Sequence, residues 1–88
     1  MVRLVLATTA LNADLLTLLK RLNASCVVDP VGDDLMEMSG QRIFLPWHVV
    51  RALMIADDLR PRTVVQQLGR HGRVLVGDDG LTIVDALS

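Results

Sequence analysis

Two helical segments separated by only about two residues constrain this chain more than any other feature. "PWHVVRALMIADDL" (46–59) places Val49, Val50, Leu53 and Ile55 or Ala56 on one face, with Pro46 suited to a first turn. "RPRTVVQQLGRHG" (60–72) follows at once, with Pro61 at its start and Gly72 as a natural stop. Helices joined so tightly must cross at a steep angle. Immediately after them, "RVLVGDDGLTIVDAL" (73–87) carries two β-rich runs around Gly77-Asp78-Asp79-Gly80, a loop of turn formers.

The first half is simpler. "VRLVLATT" (2–9) reads as a strand. In "LNADLLTLLKRLNA" (11–24) the period changes, and Leu11, Leu15, Leu18, Leu19 and Leu22 recur at spacings of three and four. Asn12 suits the N-cap, with Asp14 in the first turn and Lys20 and Arg21 in the last. "SCVVDPVGDD" (25–34) begins as a strand and is broken at Asp29-Pro30 and Gly32. "LMEMSGQRIFLP" (35–46) reads as two short strands around Ser39-Gly40. No internal repeat, linker or low-complexity tract is evident.

The chain has 88 residues, so a single domain over 1–88 is expected. About half the residues are apolar, yet Phe44 and Trp47 are the only aromatics, so the core must be aliphatic. Met36, Met38 and Met54 read as gap-fillers within it. So much aliphatic surface in a small chain favours a homodimer, with the N-terminal strand and first helix supplying the contact.

Net charge is −1, but its distribution is uneven. Asp29, Asp33, Asp34 and Glu37 cluster without a base, while Arg60, Arg62, Arg70 and Arg73 cluster without an acid. Cys26 is the only cysteine, which excludes an internal disulfide and fits a cytoplasmic protein. The apolar N-terminal run is too short for a secretory signal or a membrane span.

From residue 11 the elements run helix, strand, helix, helix, strand, strand, the order of a winged helix-turn-helix. The expected fold class is therefore α+β: a winged helix-turn-helix with an added N-terminal strand and a C-terminal β-hairpin wing. In such a fold the second helix of the pair is offered to the DNA major groove. On 61–71, Val64, Val65 and Leu68 should pack inward, while Thr63, Gln66, Gln67 and Arg70 form a polar stripe. Arg62, Gln66, Gln67 and Arg70 would reach base edges, since Gln can pair with adenine and Arg with guanine. Arg60, Thr63 and Arg73 would sit on phosphates. The acidic wing tip, Asp78-Asp79, would repel DNA.

Residues 60–85 resemble the C-terminal part of Crp/Fnr-type winged-helix domains. The likeness rests on Thr63-Val64, Leu68, Gly72, the strand Val74 to Val76, a polar turn and the closing "LTIVD". It covers about a third of the chain well and the preceding helix loosely. The resemblance implies a winged-helix fold and double-stranded DNA as partner. Three positions depart from the family's pattern: Asp58 where the turn often has Gly, Arg60-Pro61 where Ser-Arg is common, and Gln66 where an Arg often reads guanine.

Nothing in the sequence indicates an enzyme, a cofactor or a metal. His48 and His71 lie on separate elements, and one cysteine completes no zinc site. Cys26 beside Val27-Val28 reads as a small buried hydrophobe. Asp57-Asp58 and Asp78-Asp79 read as solvated turn acids. Trp47 reads as a core lid or, if exposed, an interface anchor. The rival to a DNA-binding regulator is a protein–protein interaction module, such as a phage- or mobile-element-type inhibitor, on a winged-helix-like or ferredoxin-like scaffold.

Overall fold

A computed structural model describes residues 1–86. The elements are β1 (Val2–Ala7), a 3-10 turn (Thr8–Ala10), α1 (Ala13–Leu22), β2 (Val27–Pro30), β3 (Leu35–Gly40), β4 (Arg42–Pro46), α2 (Trp47–Ala56), α3 (Pro61–Leu68), β5 (Arg73–Val76) and β6 (Gly80–Val84). The described residues form an α+β fold, with three α-helices and two antiparallel three-stranded sheets, ordered β1-β3-β2 and β4-β6-β5.

Residues 35–46 do not form a hairpin. β3 pairs with β1 and β2, whereas β4 pairs with β6. The Gly40–Arg42 junction instead carries the chain from one sheet to the other. The division into two sheets also sets aside the ferredoxin-like arrangement. The apolar positions show why: Met36 and Met38 need Leu6 and Leu4 opposite, while Leu45 and Ile43 need Leu81 and Ile83. Local turn chemistry at Ser39-Gly40 cannot outweigh those buried pairs.

The two halves repeat one arrangement, which residue identity marks only at the hairpin turns. Each begins with a strand, crosses by helix and returns through a hairpin whose last strand lies in the middle of the sheet. β2 and β5 share the same exposure pattern along their four residues. Gly32-Asp33-Asp34 and Gly77-Asp78-Asp79 mark the matching hairpin turns.

One cluster of aliphatic side chains joins both sheets and all three helices. Val2, Leu19, Met38, Ile43, Leu45, Val49, Leu81 and Ile83 are its most enclosed members. Met36 and Met38 are buried, and Met54 packs at the margin, as the sequence suggests. Each large aliphatic side chain fully buried contributes roughly 1.5–3 kcal/mol. The N-terminal ammonium forms an ion pair with Asp85, tying the start of β1 to the end of β6.

The helices are shorter than their periodicity predicts. α1 begins after Asn12, whose Oδ1 accepts the Leu15 N–H at 2.8 Å, so that cap is as expected. It stops at Leu22, which is exposed rather than core-facing. α3 ends at Leu68, four residues before Gly72. Gly72 is not a left-handed helix stop. A Cβ there would lie 2.3 Å from the Val84 carbonyl, so glycine is needed where the chain passes β6. Gly80 is equally constrained, with the Leu45 carbonyl 2.2 Å from where its Cβ would stand. The β-rich stretch 73–87 ends at residue 87, which lies outside the described residues.

Candidate nucleic-acid interface

The connection between α2 and α3 is built on one strained residue. Asp58 is the sole non-glycine residue with positive φ among those described, at 52°. Its N–H donates to the Ile55 carbonyl at 3.4 Å, and the Leu59 N–H donates to the Met54 carbonyl at 2.8 Å. That double closure is a Schellman motif, which puts the residue after the C-cap in the left-handed region. Leu59 then packs against the core and turns the chain into α3. The left-handed site is the one at which the resembled family often has Gly. Aspartate tolerates the region better than most residues.

Pro61 occupies the first turn of α3, and Arg60 is its N-cap. Val64 and Leu68, one turn apart, are buried and anchor the helix. Val65 is not inward-facing, as the wheel suggested, but exposed at 36%. With only two anchors, at i and i+4, the buried stripe is too narrow to include it.

The outer face opposite these anchors carries Arg62 and Gln66, both exposed, with exposed Arg70 in the turn beyond the helix. The predicted polar stripe therefore divides. Thr63 is half-buried, and Gln67 leans to the other flank, where it lines a groove between β1 and α2–α3 with His71 and Asp57. Arg73 is exposed at the start of β5. Among the described residues, none of Arg60, Arg62, Arg70 or Arg73 forms an ion pair or a side-chain hydrogen bond. Their charges are thus open to an anionic partner.

Two further arginines, Arg51 and Arg42, lie near this face. Arg51, on the exposed side of α2, borders a shallow cavity of about 210 Å³ with Trp47, Met54 and Pro61. Pro61 in that lining places it near the N-terminal end of α3. Its i+4 spacing from Trp47 was the available signal. Arg42 and Arg73 both pair with Val84 from opposite sides, so they flank one row of the second sheet. Only the strand order reveals that relationship.

The hairpin tip does not project. The Trp47 indole N–H donates to the Asp78 carbonyl at 2.8 Å, and the Trp47 backbone N–H donates to the Asp79 carbonyl at 3.2 Å. These bonds hold the turn against the start of α2. The β5–β6 pairing ends at Val76 and Leu81, one residue short of the end of the β4–β6 pairing at Pro46 and Gly80. Trp47 is half-buried, a clasp between helix and turn as well as a core lid.

Cys26 is half-buried, and its Sγ donates to the Arg42 carbonyl at 3.3 Å. Burial pushes its thiol pKa up. It therefore behaves as the small apolar residue expected, with a weak hydrogen bond added. Among the described residues no group of His, Cys, Asp and Glu could hold a metal ion. Among the described residues no helix is long and apolar enough to cross a membrane. Comparison with protein-family models, curated proteins and solved structures finds no match.

Proposed function

We propose that this chain is a DNA-binding protein of winged helix-turn-helix type, acting as a cytoplasmic transcriptional regulator. In this reading α1, β4, α2, α3, β5 and β6 are the winged-helix core, and β1 to β3 are additions. The observation that carries it is the α2–Asp58–α3 unit, with α3 presenting an open cationic face beside a β4-β6-β5 sheet. A short helix anchored by two residues, with its arginines free of internal partners, suits insertion into a major groove. Arg62, Gln66 and Arg70 would read bases, and Arg51, Arg60 and Arg73 would position the helix on phosphates. Thr63 and Gln67, drawn to the flank, would touch only the groove wall. The tied-back turn would keep Asp78 and Asp79 from projecting along the duplex.

A second reading has one specific observation in its favour. Val65 is exposed beside Arg62 and Gln66, giving α3 the mixed apolar and polar surface that protein recognition uses. Fluorescence anisotropy with a mixed-sequence duplex at about 50 and 200 mM salt separates the two. Salt-sensitive binding, weakened in the Arg62→Ala/Arg70→Ala variant, is the expected result. Absence of binding at the lower salt would overturn the DNA reading in favour of a protein partner.

A further inference from the structure

We infer that the open edge of β5 is a homodimerisation surface, pairing antiparallel with β5 of a second copy of this chain. This inference goes beyond DNA binding and shares only Arg73 with it.

The two sheets have four edges, and three are guarded. β1 faces α2 and α3 across a groove whose walls Leu4 to Ala7 share with Leu53, Leu59, Val64 and Leu68, so the helices stand in the way of a further strand. β4 is closed by Asn23, whose side-chain amide bonds both the N–H and the carbonyl of Phe44. β2 ends in Pro30, which offers no N–H. β5 alone has no such device: Leu75 and Val76 are 41% and 67% exposed, and no proline or lysine interrupts it.

The phase of the ladder says which groups are on offer. Because Phe44 turns its N–H and carbonyl toward Asn23, Thr82 opposite it must turn its own toward β5. Leu75, paired with Thr82, therefore bonds inward, and its neighbours Val74 and Val76 direct their backbone groups to the open edge. The same phase in the first sheet, set by the Val31 N–H to Leu35 carbonyl bond, puts Pro30 at the outward position matching Val76. The first hairpin thus lacks a donor where the second presents one.

One twofold register uses every outward group. Val74 faces Val76 of the second copy and the reverse, giving two reciprocal pairs of backbone hydrogen bonds. Leu75 meets Leu75 of the second copy across the dyad, in a close non-hydrogen-bonded pair. Arg73 then lies opposite Gly77 of the second copy, next to the exposed Asp78 and Asp79, so each end of the interface joins opposite charges. Because β4 is capped, sheet growth stops at two copies.

The strand is short, so the dimer belongs to the small, concentration-dependent class. Sedimentation equilibrium without DNA, over about 10–500 µM, should show a monomer–dimer equilibrium. Val76→Pro copies the guard of Pro30 and leaves the inward ladder intact. It should weaken dimerisation at least ~10-fold while retaining the wild-type circular dichroism spectrum. Arg73→Asp should weaken it as well, and adding Asp78→Arg should restore it. In a Cys26→Ser background, Leu75→Cys should give a disulfide-linked dimer on mild oxidation, while Thr82→Cys, one strand inward, should not. A chain monomeric at the highest concentration, or cross-linking equal at the two positions, would overturn the inference.

Discussion

The side-chain amide of Asn23 completes the hydrogen bonding of Phe44 as a neighbouring strand would. Phe44 N–H donates to Asn23 Oδ1 at 2.7 Å, and Asn23 Nδ2 donates to the Phe44 carbonyl at 2.8 Å. The same nitrogen donates to the Leu19 carbonyl at 2.8 Å, so one residue also closes the C-terminus of α1. Asn23 is the only buried polar residue among those described, and its contacts join the helix of one half to the sheet of the other.

Replacing Asn23 should therefore cost more than an ordinary surface change. Asn23→Ala leaves the Phe44 backbone groups without partners and should lower stability by about 2–4 kcal/mol. Asn23→Asp should be at least as harmful, since a carboxylate would face two carbonyls it cannot serve. Urea denaturation of the two variants checks both. An Asn23→Ala loss under about 0.5 kcal/mol would show that water replaces the amide freely.

The left-handed turn makes the opposite prediction at Asp58. Asp58→Gly removes the steric cost of positive φ and should raise stability by about 0.5–1 kcal/mol. Asp58→Val should lower it by about 1–2 kcal/mol, because a β-branched side chain fits that region poorly. Thermal melts followed by circular dichroism distinguish the three chains. The ordering Gly, Asp, Val is the expected outcome.

Close backbone approach governs Gly80. A methyl group there would collide with the Leu45 carbonyl rather than with a movable side chain. Gly80→Ala should cost about 1–3 kcal/mol by forcing β6 away from β4. The Trp47 clasp onto the hairpin turn should loosen with it, which tryptophan fluorescence would report.

Cys26 gives a pH-dependent signature. Burial raises the thiol pKa, so the folded chain keeps its proton where the unfolded chain has released it. The stabilisation is full below the unfolded thiol's pKa and is lost as pH rises through the folded one. Melting temperatures of wild type and Cys26→Ser should therefore converge as pH rises above the unfolded thiol's pKa of about 8.5. At neutral pH the folded thiol should alkylate more slowly than the unfolded one.

In the proposed DNA complex, base and phosphate contacts should separate by their salt response. Arg51→Ala should weaken duplex binding evenly across sequences and reduce the salt slope by about one. Gln66→Ala should leave the slope nearly unchanged and relax preference at one base pair, worth about 1–3 kcal/mol. Anisotropy titrations at several salt concentrations test both. Equal slopes for wild type and Arg51→Ala would remove Arg51 from the interface.

By itself, the sequence determined what depends on neighbours along the chain. Leucine spacing and the Asn12 cap located α1, Pro61 located the start of α3, and the glycine-aspartate turn located the last hairpin. These signals are local, because helix period, cap and turn each involve a few adjacent residues. The exposed arginines of α3 were legible for the same reason. Tertiary structure decided what depends on residues far apart. Partnership of β3 with β1, and of β4 with β6, rests on which apolar rows can be buried together. α3 ends at Leu68, and Val65 faces out, because the core offers room for two anchors. Asn23 looks like an ordinary helix-ending residue until β4 arrives 21 positions later to need its amide. No local pattern encodes that need, since an open strand edge exists only after the sheet has formed.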